Sequence, residues 1–208
     1  GVIAGSNVDD LITLFPELMD IANIESVLIA NMMSEDMRAK DFQKISNAVS
    51  EQIKKGVKGV ILGHGTDMLG YSAAVLSFAL QNCPIPVLVV GTQRSTDRGS
   101  SDGAMNLISA ATFISKTNFK GVGVCMHNST NDDDCSIINA TKVRKMHTSR
   151  RDAFKAINDT PVALINYKTK ENKWIKDQVK MEKSTGKFKL LNKLEEKVGL
   201  IKMHPWIN

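Results

Sequence analysis

Gly63-His64-Gly65-Thr66-Asp67 sets a hydroxyl beside a carboxylate in a turn whose two glycines permit close backbone approach. The pair falls where the next helical pattern begins, so two readings compete. Thr66 and Asp67 are favoured helix-capping types and could serve only that end. Alternatively, they present a hydroxyl and a carboxylate where backbone N–H groups and the helix dipole favour developing negative charge. Downstream, residues 142–152 run Lys-Val-Arg-Lys-Met-His-Thr-Ser-Arg-Arg-Asp. Such a run reads either as a solvated basic face or nucleic-acid patch, or as the source of one lysine that accepts a proton from a hydroxyl when burial lowers its pKa. Spacing alone does not choose the lysine. Two further polar clusters are Ser34-Glu35-Asp36 and residues 93–102 (Gln-Arg-Ser-Thr-Asp-Arg-Gly-Ser-Ser-Asp).

These groups need a frame. Apolar, β-branched runs at 26–30, 59–62, 86–90, 121–126 and 161–165 alternate with helical patterns at 9–22, 41–55, 69–81 and 102–115. The strand runs are apolar throughout, as expected where helices cover both sheet faces. The expected fold class is therefore α/β, a doubly wound, mainly parallel sheet. In such a sheet ligands sit beyond the carboxyl ends of the strands, and all three polar clusters follow a predicted strand. Towards the end, Trp174 to Leu191 reads as a basic antiparallel hairpin turning at Ser184-Thr185-Gly186, followed by a linker strand at 198–202. That pattern divides the chain into residues 1–166 and 167–208, the second leading toward a further domain.

Composition narrows the function classes. Hydrophobic residues at 42% and charged residues at 24% suit one well-filled domain in 208 residues. No apolar run approaches the ~18 residues of a membrane span, and the start has neither a basic n-region nor an h-region. The net charge of +5 is local: residues 168–189 hold eight lysines against Glu171, Asp177 and Glu182. Three cysteines without CxxC spacing speak for a reducing cytoplasmic setting rather than a disulfide frame or zinc site. Cys125 reads as core, and a Cys–His pair of Cys125 or Cys135 with His127 or His147 is the rival nucleophile. His64, His127 and His147 read as hydrogen-bonded scaffolding, Tyr71 and Tyr167 as packing, and Met32, Met33, Met37 and Met68 as gap-fillers. The chain carries no GxxxxGK[ST] or GxGxxG string, so a nucleotide-binding oxidoreductase lacks its fingerprint.

Three strings taken together, Gly63 to Asp67, Ser95 to Leu107 and Val143 to Phe154, resemble the asparaginase/glutaminase family. The long, arginine-bearing forms of the last two resemble one archaeal branch, the D-type subunits of glutamyl-tRNA(Gln) amidotransferases. The resemblance implies an asparaginase N-terminal-domain-like fold and a threonine-type amidohydrolase. It casts Thr66 as the second active-site threonine, Asp67 as the group that binds the substrate's α-amino group and organises Thr66, and Lys145 as the base tuning Thr66. Ser34 would receive the α-carboxylate, with Glu35 beside it. The family's TGGTI-like string with the first threonine would precede residue 1, and its second domain would follow Pro205. The chain is therefore expected to be a piece of a longer enzyme.

The function so implied is a glutamine amidohydrolase supplying ammonia to a tRNA-dependent amidotransferase that converts Glu-tRNA(Gln) to Gln-tRNA(Gln). No cofactor is expected in this chain, ATP and Mg being used by a partner E subunit. Expected partners are glutamine, that subunit, tRNA (indirectly or through the basic hairpin) and a second copy in a homodimer, with no membrane. The alternatives are a free-standing cytosolic L-asparaginase and a non-catalytic tRNA- or partner-binding module.

Overall fold

The computed structural model describes residues 15–95, 98–183 and 186–206. Among these the chain forms, in order, α1 (Ala39–Lys55), β1 (Val60–Gly63), α2 (Leu69–Ala79), β2 (Leu80–Gln81), β3 (Pro86–Val90) and α3 (Gly103–Lys116). It continues through β4 (Gly121–His127), β5 (Asp134–Asn139), β6 (Val143–Lys145), β7 (Phe154–Ala156), β8 (Ala163–Asn166), β9 (Asn172–Trp174), α4 (Gln178–Glu182) and β10 (Lys189–Leu190).

Six strands make the main sheet in the order β1-β3-β4-β5-β8-β9. The parallel core expected from the apolar runs is β1-β3-β4; β5, β8 and β9 extend it antiparallel. Every residue of β3 is buried, and its two faces feed different cores. Val87 and Val89 join Val122, Val124 and Met126 under α1 and α2, with Val49, Leu69 and Leu76. Leu88 and Val90 meet Phe113, Ile114, Cys125 and Ile137 beneath α3. Period-two alternation thus serves two layers of helices, which is the doubly wound arrangement.

Four expectations need correction. Residues 26–30 join no strand, and Val27 and Leu28 are exposed; among the described residues no ladder partner lies beside them, so their β propensity has nothing to pair with. Residues 9–14 of the helical pattern at 9–22 lie outside the described residues, and the rest holds only a 3-10 turn, Pro16–Leu18, with Pro16 in its first turn. The hairpin across 174–191 is not formed. Asp177 caps α4 by accepting from the Lys180 amide (3.3 Å), and Leu190 pairs with Leu80 in β2 instead. The actual hairpin is β8–β9, so the sheet runs on past residue 166. Residues 198–202 are likewise not a strand: Val198, Leu200 and Ile201 lie exposed.

Candidate active site

The turn after β1 is fastened to the end of β3. The His64 amide donates to the Val90 carbonyl (2.8 Å), continuing the ladder one step past Gly63. A Cβ at Gly91 would meet the His64 carbonyl and Thr66 Cγ2 at 3.0 Å, so only glycine lets the strand end approach this closely. A Cβ at Gly65 would lie 2.8 Å from Ser34 Oγ, which brings the 3-10 turn Ser34–Asp36 against the same site. His64 braces the turn: its Nδ1 donates to the Gly65 carbonyl (2.7 Å) and its Nε2 accepts from the Ser72 hydroxyl (2.8 Å). Burial lowers the His64 pKa, only partly opposed by the Gly65 carbonyl. This neutral ring is scaffolding.

The helix-capping reading fails here. α2 is capped at Met68, and neither Thr66 nor Asp67 makes a cap hydrogen bond. The Met68 amide is instead taken by Ser34 Oγ (3.3 Å), whose own hydroxyl points to Glu35 Oε2 (3.4 Å). Thr66 and Asp67 turn to Lys145, whose Nζ donates to Thr66 Oγ1 at 2.9 Å and to Asp67 Oδ1 at 2.8 Å. The Lys145 side chain is largely buried, whereas Asp67 is open to solvent. An ammonium donating to a threonine oxygen leaves the hydroxyl's proton free and stabilises charge developing on that oxygen.

The fold thus gathers Ser34, Thr66, Asp67 and Lys145 from three stretches of chain, with Glu35 at the rim. Lys145 is aimed by the β6–β7 hairpin, where it pairs with the buried Phe154. Val143, on the same strand face, lies over Gly70 of α2. Gln93 Nε2 donates to the carbonyls of His147 (3.4 Å) and Arg150 (2.9 Å), tying the loop after β3 to this hairpin.

Behind the site is a buried set that the motif reading did not single out. The Asp102 carboxylate accepts the amides of Gln93 (3.1 Å) and Arg94 (2.8 Å) and the Asn106 side chain (3.0 Å). Asn106 also donates to the Gly91 carbonyl (3.0 Å) and accepts from His127 Nδ1 (2.7 Å). Polar residues on the buried face of α3 were the available signal, since buried polar groups need partners.

The rival Cys–His pair is adjacent but enclosed. Cys135 faces His127 across β4–β5, and both are fully buried. Burial alone would raise the Cys135 pKa, but hydrogen bonds with Cys125 and His127 bring it down to about 6, while burial pushes Cys125 up. With His127 engaged by Asn106, this pair belongs to the core. His147 Nδ1 accepts the amides of Ser149 (3.1 Å) and Arg150 (3.2 Å) and shapes its loop. Tyr71, expected to pack, is 67% exposed; Tyr167 is partly buried, with Lys170 over its ring. Among the described residues no three His, Cys, Asp or Glu side chains converge as a metal site, and no helix is long and apolar enough to cross a membrane.

Comparison with known proteins identifies the family to which this fold belongs. The chain belongs to the asparaginase family, whose N-terminal domain model matches residues 2–180. It is 48% identical over 201 residues to the D-type subunit of glutamyl-tRNA(Gln) amidotransferase from Methanococcus maripaludis, covering 96% of this chain and 48% of that protein. The Pyrococcus furiosus protein of the same name is 45% identical, over 95% of this chain and 44% of its own length. A crystal structure described as a probable cytoplasmic L-asparaginase from Campylobacter jejuni superposes with a TM-score of 0.69 and 28% identity. It covers 76% of this chain and 48% of that one. The chain spans about half the length of the curated relatives it matches.

Proposed function

We propose that this chain forms part of a glutamine amidohydrolase that feeds ammonia to a tRNA-dependent amidotransferase. The observation that carries the reading is the bond from Lys145 Nζ to Thr66 Oγ1, made in place of a helix cap. The names of the curated relatives support glutamine, tRNA and a partner subunit as the setting.

In the proposed reaction a threonine oxygen attacks the side-chain carbonyl of glutamine. The C–N bond breaks, nitrogen leaves as ammonia with the hydroxyl's proton, and water cleaves the resulting ester to glutamate. Thr66 acts as the second threonine of this chemistry, with the first supplied by the family string that would precede residue 1. Lys145 and Asp67 set the polarity of Thr66, Asp67 receives the α-amino group, and Ser34 with Glu35 holds the α-carboxylate end. ATP and Mg serve the partner E subunit, which activates the glutamate of the misacylated tRNA. The enzyme works in the cytoplasm as a homodimer within that complex. Residues 1–166 carry the amidohydrolase unit, and 167–208 lead from it toward a second domain.

The solved L-asparaginase neighbour favours one second reading, asparagine hydrolysis without a partner. Ammonia release from glutamine and from asparagine by the full-length protein, with and without partner subunit and tRNA, separates the two. The proposal expects glutamine preference and stimulation by the partners. Asparagine preference without partner dependence overturns it.

A further inference from the structure

Arg94, Arg98 and Arg151 line one cavity of about 370 Å³, together with Gln93 and Ser149. The chain carries 21 lysines but only six arginines, so half of its guanidinium groups meet at this place. A cluster of arginines selects for their rigid N–H fork, which matches an oxyanion bidentately.

The walls are built rather than loose. Asp102 pins the Arg94 amide (2.8 Å), and the Ser101 hydroxyl binds the Arg94 carbonyl (2.8 Å). Gln93 bridges to the loop bearing Ser149 and Arg151 through the carbonyls of His147 and Arg150. Arg151 is spoken for, donating to the Asp132 carboxylate and the Thr130 carbonyl. Among the described residues neither Arg94 nor Arg98 has an ion-pair partner. Two guanidinium groups therefore line a polar cavity without an ion-pair partner among the described residues.

We propose that this cavity binds the phosphodiester backbone of RNA, with Arg94 and Arg98 each taking a phosphate oxygen pair and Ser149 adding a hydroxyl. Identifying the RNA as tRNA rests on the function proposed above; the anion chemistry does not. RNA is favoured over an acidic protein because the space exceeds one carboxylate and a polyanion supplies successive charges to both free arginines. The cavity lies between the loop that follows Gly91 and the loop that follows Lys145. Bound RNA would therefore lie beside the amide-cleaving cluster, outside it.

The test is fluorescence anisotropy of labelled tRNA with the full-length protein in its assembled form, between about 50 and 200 mM salt. Wild type is compared with the Arg94→Ala/Arg98→Ala and Arg94→Lys/Arg98→Lys pairs, and ammonia release from free glutamine is recorded in parallel. We expect the alanine pair to weaken binding about tenfold and to reduce the salt slope by about one per arginine. The lysine pair should restore the slope without the full affinity. Ammonia release should be unchanged. Unaltered affinity and slope in the alanine pair overturn the proposal, and so does displacement of a cavity-bound probe by poly-glutamate but not by tRNA. Loss of RNA binding in an enzyme that releases no ammonia upholds the cavity and defeats the function above. Ammonia release with RNA binding untouched does the reverse.

Discussion

Lys145 bonds a half-buried and an exposed oxygen, and its removal should be felt at the half-buried Thr66 end. Lys145→Met leaves Thr66 without its donor, so ammonia release should fall by about 10²–10³-fold while the melting temperature holds. Lys145→Arg should not restore it, because a planar fork cannot replace a point donor shared between Thr66 and Asp67. A coupled ammonia assay on the full-length protein reads both outcomes. Gly91→Ala places a methyl group 3.0 Å from Thr66 Cγ2 and the His64 carbonyl. It should lower kcat more than it raises KM, as steady-state kinetics will show. Thr66 and Asp67 were legible because glycines, hydroxyl and carboxylate sit together in one turn. The choice of lysine was not, since 79 residues separate Thr66 from Lys145. What settles it is strand alternation: Val143 packs on α2, and Lys145 shares its face.

Among the elements, the turn after β1 and the β6–β7 hairpin each carry a titrating brace. His64 has a lowered pKa, so its bonded neutral form persists to below pH 6.5; its contribution is full above that value and is lost as pH falls through the lowered pKa. The acid limb of kcat/KM should therefore include His64, and His64→Gln should flatten it; an unchanged limb contradicts this role. Asp152 anchors the hairpin loop. The Arg150 guanidinium chiefly, and Lys155 in addition, hold its carboxyl at about 2 against the opposing effect of burial. Its stabilisation is full above pH 4 and is lost as pH falls through about 2. Both cationic partners are substantially exposed, so Asp152→Asn should cost about 1 kcal/mol at pH 7, measurable by urea unfolding. The parallel core was legible because Val, Leu and Ile runs buried on both faces have few other uses. The segment 26–30 has the same composition without a strand beside it, and 174–191 has two apolar patterns that separate partners claim. Pairing is settled by the whole fold, and short windows do not record it.

At the scale of the molecule, the chain presents a cluster whose members come from three stretches and a family whose curated relatives are about twice its length. The polar core behind it ties the loop after β3 to α3. Asp102→Ala would strand the Gln93 and Arg94 amides and should cost about 3 kcal/mol, with a matching fall in thermal stability. The central claim is that Thr66 and Lys145 form a working pair in amide cleavage, and one measurement tests it most directly. Ammonia release from glutamine is compared in the full-length protein for wild type, Thr66→Ala, Lys145→Met and the double variant. A working pair predicts large losses in each single variant and little further loss in the double. Single variants of near wild-type rate, in samples that remain folded, would contradict the claim.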